Sequence, residues 1–226
     1  RPGTDTAFDI GQMKIGRRLA IKLLNASKFA LTLSQLSSDL DRTNITAATI
    51  VEPVDQALLA KLALTVESAT KAFEEFNYAK ALDATETFFW EFTDDYVELV
   101  KERAYGETEG VNSESARATL LITLDTLLRL FAPFLPFTTE ETWSWFNNDS
   151  IHTSHWPDSD TLRAVAPSGN IAALATATQA LRMIRKTKSE AKLSMRAVVS
   201  AAVFTGTPEM LKHLDSVATD LKAAGS

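Results

Sequence analysis

The chain has 226 residues, 45% of them hydrophobic, no cysteine and a formal net charge of −6. That is enough apolar material for one large or two small domains, and the lack of cysteine excludes disulfides and thiolate metal sites and fits a reducing compartment. No stretch has the basic-then-apolar layout of a secretory signal, and the most apolar run, residues 118–137, is broken by Asp125 and Arg129 and so reads as a buried helix rather than a membrane span.

Residues 1–11 read as extended, and a first helix is predicted over about 12–33. Its basic side chains Lys14, Arg17, Arg18, Lys22 and Lys28, with Asn25, follow steps of three and four and share one side. Leu19, Leu23, Ala26, Ala30 and Leu31 lie opposite and suit a core, while Ile21 and Phe29 fall among the basic residues. Residues 10–28 hold five basic groups and no acidic one. Solvated helix faces normally mix signs. A purely basic face carrying an aromatic suits a phosphate backbone and an unstacked base. Phe29, with charged and polar neighbours, gains little from burial unless a loop covers it, which favours a stacking role.

The Ser-, Thr- and Asp-rich residues 34–51 read as a loop or short helices. Pro53 suits the first position of a second helix reaching about Phe76. Asn77 caps a third, over about 78–104, with Leu82, Phe89, Phe92, Tyr96 and Leu99 at heptad-like spacing. Gly106 to Gly110 is a polar break, and Ser113 is expected to cap a helix with a stripe from Leu120 to Phe131. Pro133 and Pro136 end that helix, and Thr138 with Glu141 forms a capping box for a short helix through Trp145. Residues 147–169 read as a linker, 170–188 as a helix, 197–204 (Ala-Val-Val-Ser-Ala-Ala-Val-Phe) as a strand, and Thr207-Pro208 as the start of a last helix. The fold class expected is mainly α: a helical bundle over residues 1–146, then a linker and small α+β unit over 147–226.

A second basic segment, residues 182–196, carries six basic groups and one acidic group. It and the first helix contribute +5 each, so the remainder of the −6 chain carries −16. An acidic body with two concentrated basic segments points to directed contact with a polyanion. Arg182, Arg185, Lys186 and Lys188 are candidates to hold backbone elsewhere, although a helix end also favours basic groups. Catalysis has little support. His152 and His155 lack a third convincing ligand, the carboxylates at Asp94, Asp95, Glu98, Glu140 and Glu141 form no matched acid–base pair, and no Gly-rich phosphate loop or nucleophile motif occurs. No metal and no catalytic residue is assigned. The competing reading is a helical interaction module docking its basic face on an acidic protein.

Blocks across most of the chain resemble the valyl-tRNA synthetase family, just beyond its catalytic domain. They are Gly3-Thr4-Asp5-Thr6-Ala7-Phe8-Asp9, Gly11-Gln12-Met13, Leu24-Asn25-Ala26-Ser27-Lys28-Phe29, Ala84-Thr85-Glu86-Thr87-Phe88-Phe89-Trp90, Asp95-Tyr96-Val97-Glu98-Leu99-Val100-Lys101 and Arg103-Ala104-Tyr105-Gly106. Further blocks are Phe131-Ala132-Pro133-Phe134-Leu135-Pro136-Phe137, Glu140-Glu141, Trp143, Ser154-His155-Trp156-Pro157 and Lys188-Ser189-Glu190-Ala191-Lys192. The opening segment points to the valyl enzyme rather than its isoleucyl and leucyl relatives. The resemblance implies a cytoplasmic fragment, the chain also starting without Met: the anticodon-binding bundle and the unit after it, without the HIGH-like and KMSKS-like motifs, the editing domain or the coiled-coil tail. It implies a valine-accepting tRNA and the catalytic domain of the same polypeptide as partners, with no membrane contact. ATP and magnesium are implied for the full-length enzyme and no cofactor for this chain. It implies anticodon contact at Gln12, Asn25, Lys28 and Phe29, with Phe134, Leu135 and Pro136 nearby.

Overall fold

The computed structural model describes residues 8–37, 44–106 and 110–225. The segment expected to be extended over 1–11, the loop over 34–51 and the break at 106–110 lie partly outside these. Among the described residues every regular element is helical: α1 (Ile10–Ser34), α2 (Pro53–Glu74), α3 (Tyr78–Glu91), α4 (Val97–Tyr105), α5 (Val111–Phe131), α6 (Pro136–Trp143), α7 (Ser159–Val165), α8 (Ile171–Glu190), α9 (Pro208–Ser216) and α10 (Ala218–Gly225).

The boundaries follow local chemistry. Asp9 caps α1 by accepting the Gly11 amide at 2.7 Å, Asn77 accepts the Lys80 amide at 3.2 Å, and Pro53 and Pro208 occupy first-turn positions where their missing N–H costs nothing. Two expected caps differ. Ser113 lies inside α5, whose cap is Gly110, and Pro136 opens α6 instead of ending α5, so Thr138 falls within α6 and no capping box forms. A short helix, α7, stands in the expected linker, capped by Asp158, whose carboxylate accepts from Thr161 and the Asp160 amide.

The third predicted helix is interrupted. Residues Phe92–Tyr96 form a π-turn between α3 and α4, in which the Val97 amide reaches back to the Phe92 carbonyl. The extra residue keeps Phe92 and Tyr96 both buried and stacked at 5.9 Å while Asp95 points the other way, toward α8.

α5 is the core helix, buried along almost its whole length, so its one buried arginine must find its partners within the protein. Arg117 donates to the Ala104 and Gly106 carbonyls, each at 2.9 Å, and to Ser37 Oγ at 3.0 Å, tying the end of α4 and the exit of α1 to α5. That last bond puts the C-terminal end of α1 beside the first half of α5. α2 packs against α3, α5, α7 and α8, so helices on both sides of residue 146 share one hydrophobic core. The close approach of the α7–α8 connection to α2 depends on Gly169, where a Cβ would lie 2.6 Å from the Ala60 Cβ. Gly169→Ala should cost about 1–3 kcal/mol, read as a lower urea midpoint at unchanged slope.

The expected α+β tail is not seen. Residues 197–204 are irregular, with a bend at Ser200 and no partner strand among the described residues, and Val198 and Val203 are 86% and 89% exposed. Valine-rich sequence favours extended backbone, but a strand needs a neighbour to complete its ladder.

Candidate nucleic-acid interface

α1 buries Leu19, Leu23, Ser27, Ala30 and Leu33, with Ala26 and Leu31 partly covered, so the apolar side read from spacing is the one that meets the bundle. Gln12, Lys14, Arg17, Arg18, Asn25 and Lys28 are exposed on the other side. Lys14, Arg17, Arg18 and Lys28 make no ion pair with a described residue. Lys14–Arg18 and Arg18–Lys22 are like-charge pairs four apart, each costing the helix about 0.2–0.5 kcal/mol. A face selected only for solubility would interleave acids.

Lys22 differs: its Nζ lies 3.0 Å from Asp94 Oδ1 on the π-turn. Phe29 differs too. It is half-buried against the core, with its ring edge-on to Tyr105 at 5.7 Å between centroids. The cover missing from the sequence reading is thus supplied by the end of α4, and Tyr105, itself 54% exposed, extends an aromatic surface beside the basic face. Sequence reasoning gave Tyr105 no role because the pairing spans helices far apart in sequence.

α6 packs against α1. Just before α6, Phe134 and Leu135 are half-buried against the core, Phe134 against Phe73 of α2 at 5.7 Å, and Pro136 is exposed. The next residue, Phe137, is 89% exposed and was not singled out from sequence. Its signal was available: an aromatic directly after a helix-opening proline, in a helix with little apolar face to bury.

The C-terminal basic segment is arranged otherwise. Arg182 forks onto Asp95, with Nε at 2.9 Å from Oδ1 and Nη2 on Oδ2. Arg185 Nη2 donates to Glu98 Oε2 at 2.6 Å, and Lys101 meets the same oxygen at 2.9 Å. Burial alone would raise the Glu98 carboxyl, yet Lys101 and Arg185 together hold it below its usual value. Lys188 is only 4% exposed and donates to the Met195 and Gly225 carbonyls at 3.0 and 2.8 Å, fastening α8 to the chain beyond it and to α10. Lys186 stays on the surface, 3.8 Å from Glu190. The structure therefore sets α6 against α1, pairs Arg182 with Asp95 and Arg185 with Glu98 while leaving the Arg182 side chain 67% exposed, and buries Lys188.

Among the described residues no group of three His, Cys, Asp or Glu could hold a metal ion. No described helix is long and apolar enough to cross a membrane.

Residues 55–203 match the family model described as the anticodon-binding domain of tRNA ligase. The chain is 51% identical to a valine–tRNA ligase of Thermobifida fusca, a match covering 100% of this chain and 25% of that protein. It is 48% identical to the valine–tRNA ligase of Salinispora tropica over 100% of this chain and 27% of the relative, and 45% identical to that of Cutibacterium acnes over 98% and 24%. The chain thus spans about a quarter of the length of the curated relatives it matches.

Proposed function

The chain belongs to the anticodon-binding domain family of tRNA ligases, and from that premise we propose that it is the tRNA-binding module of a valine–tRNA ligase. It positions a valine-accepting tRNA for aminoacylation by catalytic domains elsewhere in a longer cytoplasmic polypeptide. The observation that carries this reading is the acid-free, exposed basic face of α1 with half-buried Phe29 at one end. Lys14, Arg17, Arg18, Lys22 and Lys28 hold phosphates, Gln12 and Asn25 reach base edges, and Phe29 offers a stacking surface at which Tyr105 joins it. Pro136 and exposed Phe137, at the start of the helix that packs against α1, extend the contact. Lys188 contributes through the fold, because it is buried and donates to two backbone carbonyls, while Arg182 and Arg185 are engaged first by Asp95 and Glu98.

Fluorescence anisotropy with labelled tRNA tests this. Wild type should bind a tRNA carrying a valine anticodon more tightly than the same tRNA with the anticodon swapped. Neutralising Lys14, Arg17, Arg18 and Lys22 together should flatten log affinity against log salt by about 0.7–0.9 per lost contact. An unchanged slope would place the RNA on another surface. Equal binding of both tRNAs and of an unrelated acidic protein would favour a protein-docking module, a reading to which the exposed Met13, Ile15 and Ile21 on α1 lend some support.

A further inference from the structure

Three carboxylates crowd the π-turn and the first turn of α4: Asp94, Asp95 and Glu98. Asp95, with its side chain 6% exposed, is taken by the Arg182 fork, and Glu98 is taken by Arg185 and Lys101. Asp94 meets no arginine through its carboxylate. Arg185 reaches only its carbonyl, at 3.4 Å. The Asp94 carboxylate instead holds Lys22 Nζ at 3.0 Å, with Thr93 Oγ1 at 3.3 Å. Lys22 lies in the middle of the basic face, one turn from Arg18 and three residues from Asn25.

We propose that Asp94 is an internal competitor for nucleic acid, occupying Lys22 until a phosphate displaces it, and that Arg182 and Arg185 are positioning residues that keep Asp95 and Glu98 out of that competition. The proposal rests on the tRNA-binding reading above. The side chains of Lys22 and Asp94 are 38% and 56% exposed, so water screens their pair and an incoming phosphate can replace the carboxylate at little cost. A lysine prepaired in this way also relieves its like-charge contact with Arg18 in the free protein. The arrangement explains why Arg182 and Arg185 of α8 are paired with carboxylates although neither is buried. Arg182 and Arg185 each cancel a carboxylate that would otherwise repel the RNA backbone.

The test titrates labelled tRNA at fixed salt with wild type, Asp94→Asn, Arg182→Gln and the double variant Arg182→Gln/Asp95→Asn, with melting curves alongside. Asp94→Asn should bind about two- to fivefold more tightly, the scale of a lost exposed ion pair. Arg182→Gln should bind more weakly than wild type, and the double variant should recover wild-type affinity, because removing the uncovered carboxylate removes the repulsion. Unchanged or weaker binding by Asp94→Asn overturns the competitor. A loss that persists in the double variant shows Arg182 holding phosphate itself and overturns its positioning role. If Arg182→Gln fails to fold, Asp94→Asn, an exposed and isosteric change, and the double variant decide the question. Wild type failing to bind tRNA would sink the tRNA reading and this proposal together, whereas wild-type binding with Asp94→Asn unchanged sinks this proposal alone.

Discussion

Arg103→Ala should destabilise the fold by about 3–5 kcal/mol, the cost of stranding buried carboxylates without their cation. Arg103 is 10% exposed in its side chain and joins three helices. Nη1 and Nη2 grip the two oxygens of Asp55 on α2 at 2.9 Å each, while Nε and Nη2 grip those of Asp220 on α10 at 2.8 Å each. Asp55 has no exposed side-chain surface and is completed by the Tyr96 hydroxyl at 2.8 Å and the Ser115 hydroxyl at 2.7 Å. Burial alone would lower the guanidinium, but Asp55 and Asp220 hold it charged well above its usual value. Burial, with the Asp55 charge beside it, likewise keeps the Tyr96 hydroxyl protonated far above the ordinary phenol range. Removing Arg103 leaves two buried carboxylates facing each other, and α10 loses its polar anchor. The urea midpoint should drop, and amides of residues 218–225 should exchange faster than those of α5. Arg103→Lys should recover part of the loss, since it keeps the charge without the fork. A midpoint that barely moves in the alanine variant would mean that water replaces the guanidinium and that α10 is held by its apolar contacts alone.

Phe29→Ala should lose on two scales at once. The ring is packed against the core and against Tyr105 but is not fully buried, so the stability cost should be about 1–2 kcal/mol, below the 3–5 of a fully buried phenylalanine. Affinity for tRNA should fall by about 1–3 kcal/mol, the scale of a stacked base. Phe29→Tyr should keep most of the affinity because the π face survives. The separating measurement is a double-mutant cycle with an anticodon-swapped tRNA, with melts run in parallel. If Phe29 stacks on an anticodon base, the two losses overlap and fall short of their sum. Full additivity would restrict Phe29 to joining α1 with α4.

The sequence alone was enough for what helix geometry repeats locally. Spacing in α1 separated Leu19, Leu23 and Ala30 from the basic side, because a 3.6-residue period assigns faces without reference to the rest of the chain. Pro53, Asn77 and Thr207-Pro208 marked helix starts for an equally local reason: each satisfies or omits a first-turn N–H. The family was legible in motif blocks along the chain, and family-model residues 55–203 agree with it. Tertiary structure decided what depends on partners distant in sequence. Arg182 and Asp95 are 87 residues apart, so no reading of the basic run 182–196 could tell a cation facing solvent from one that cancels a carboxylate on another helix. Phe29 is covered by Tyr105 for the same reason. The π-turn arises because Phe92 and Tyr96 must face one core while Asp95 faces α8, a demand that the period of an isolated helix does not contain. Residues 197–204 have the side chains of a strand, but strand formation is completed by a neighbour's hydrogen bonds, and no described residue supplies them.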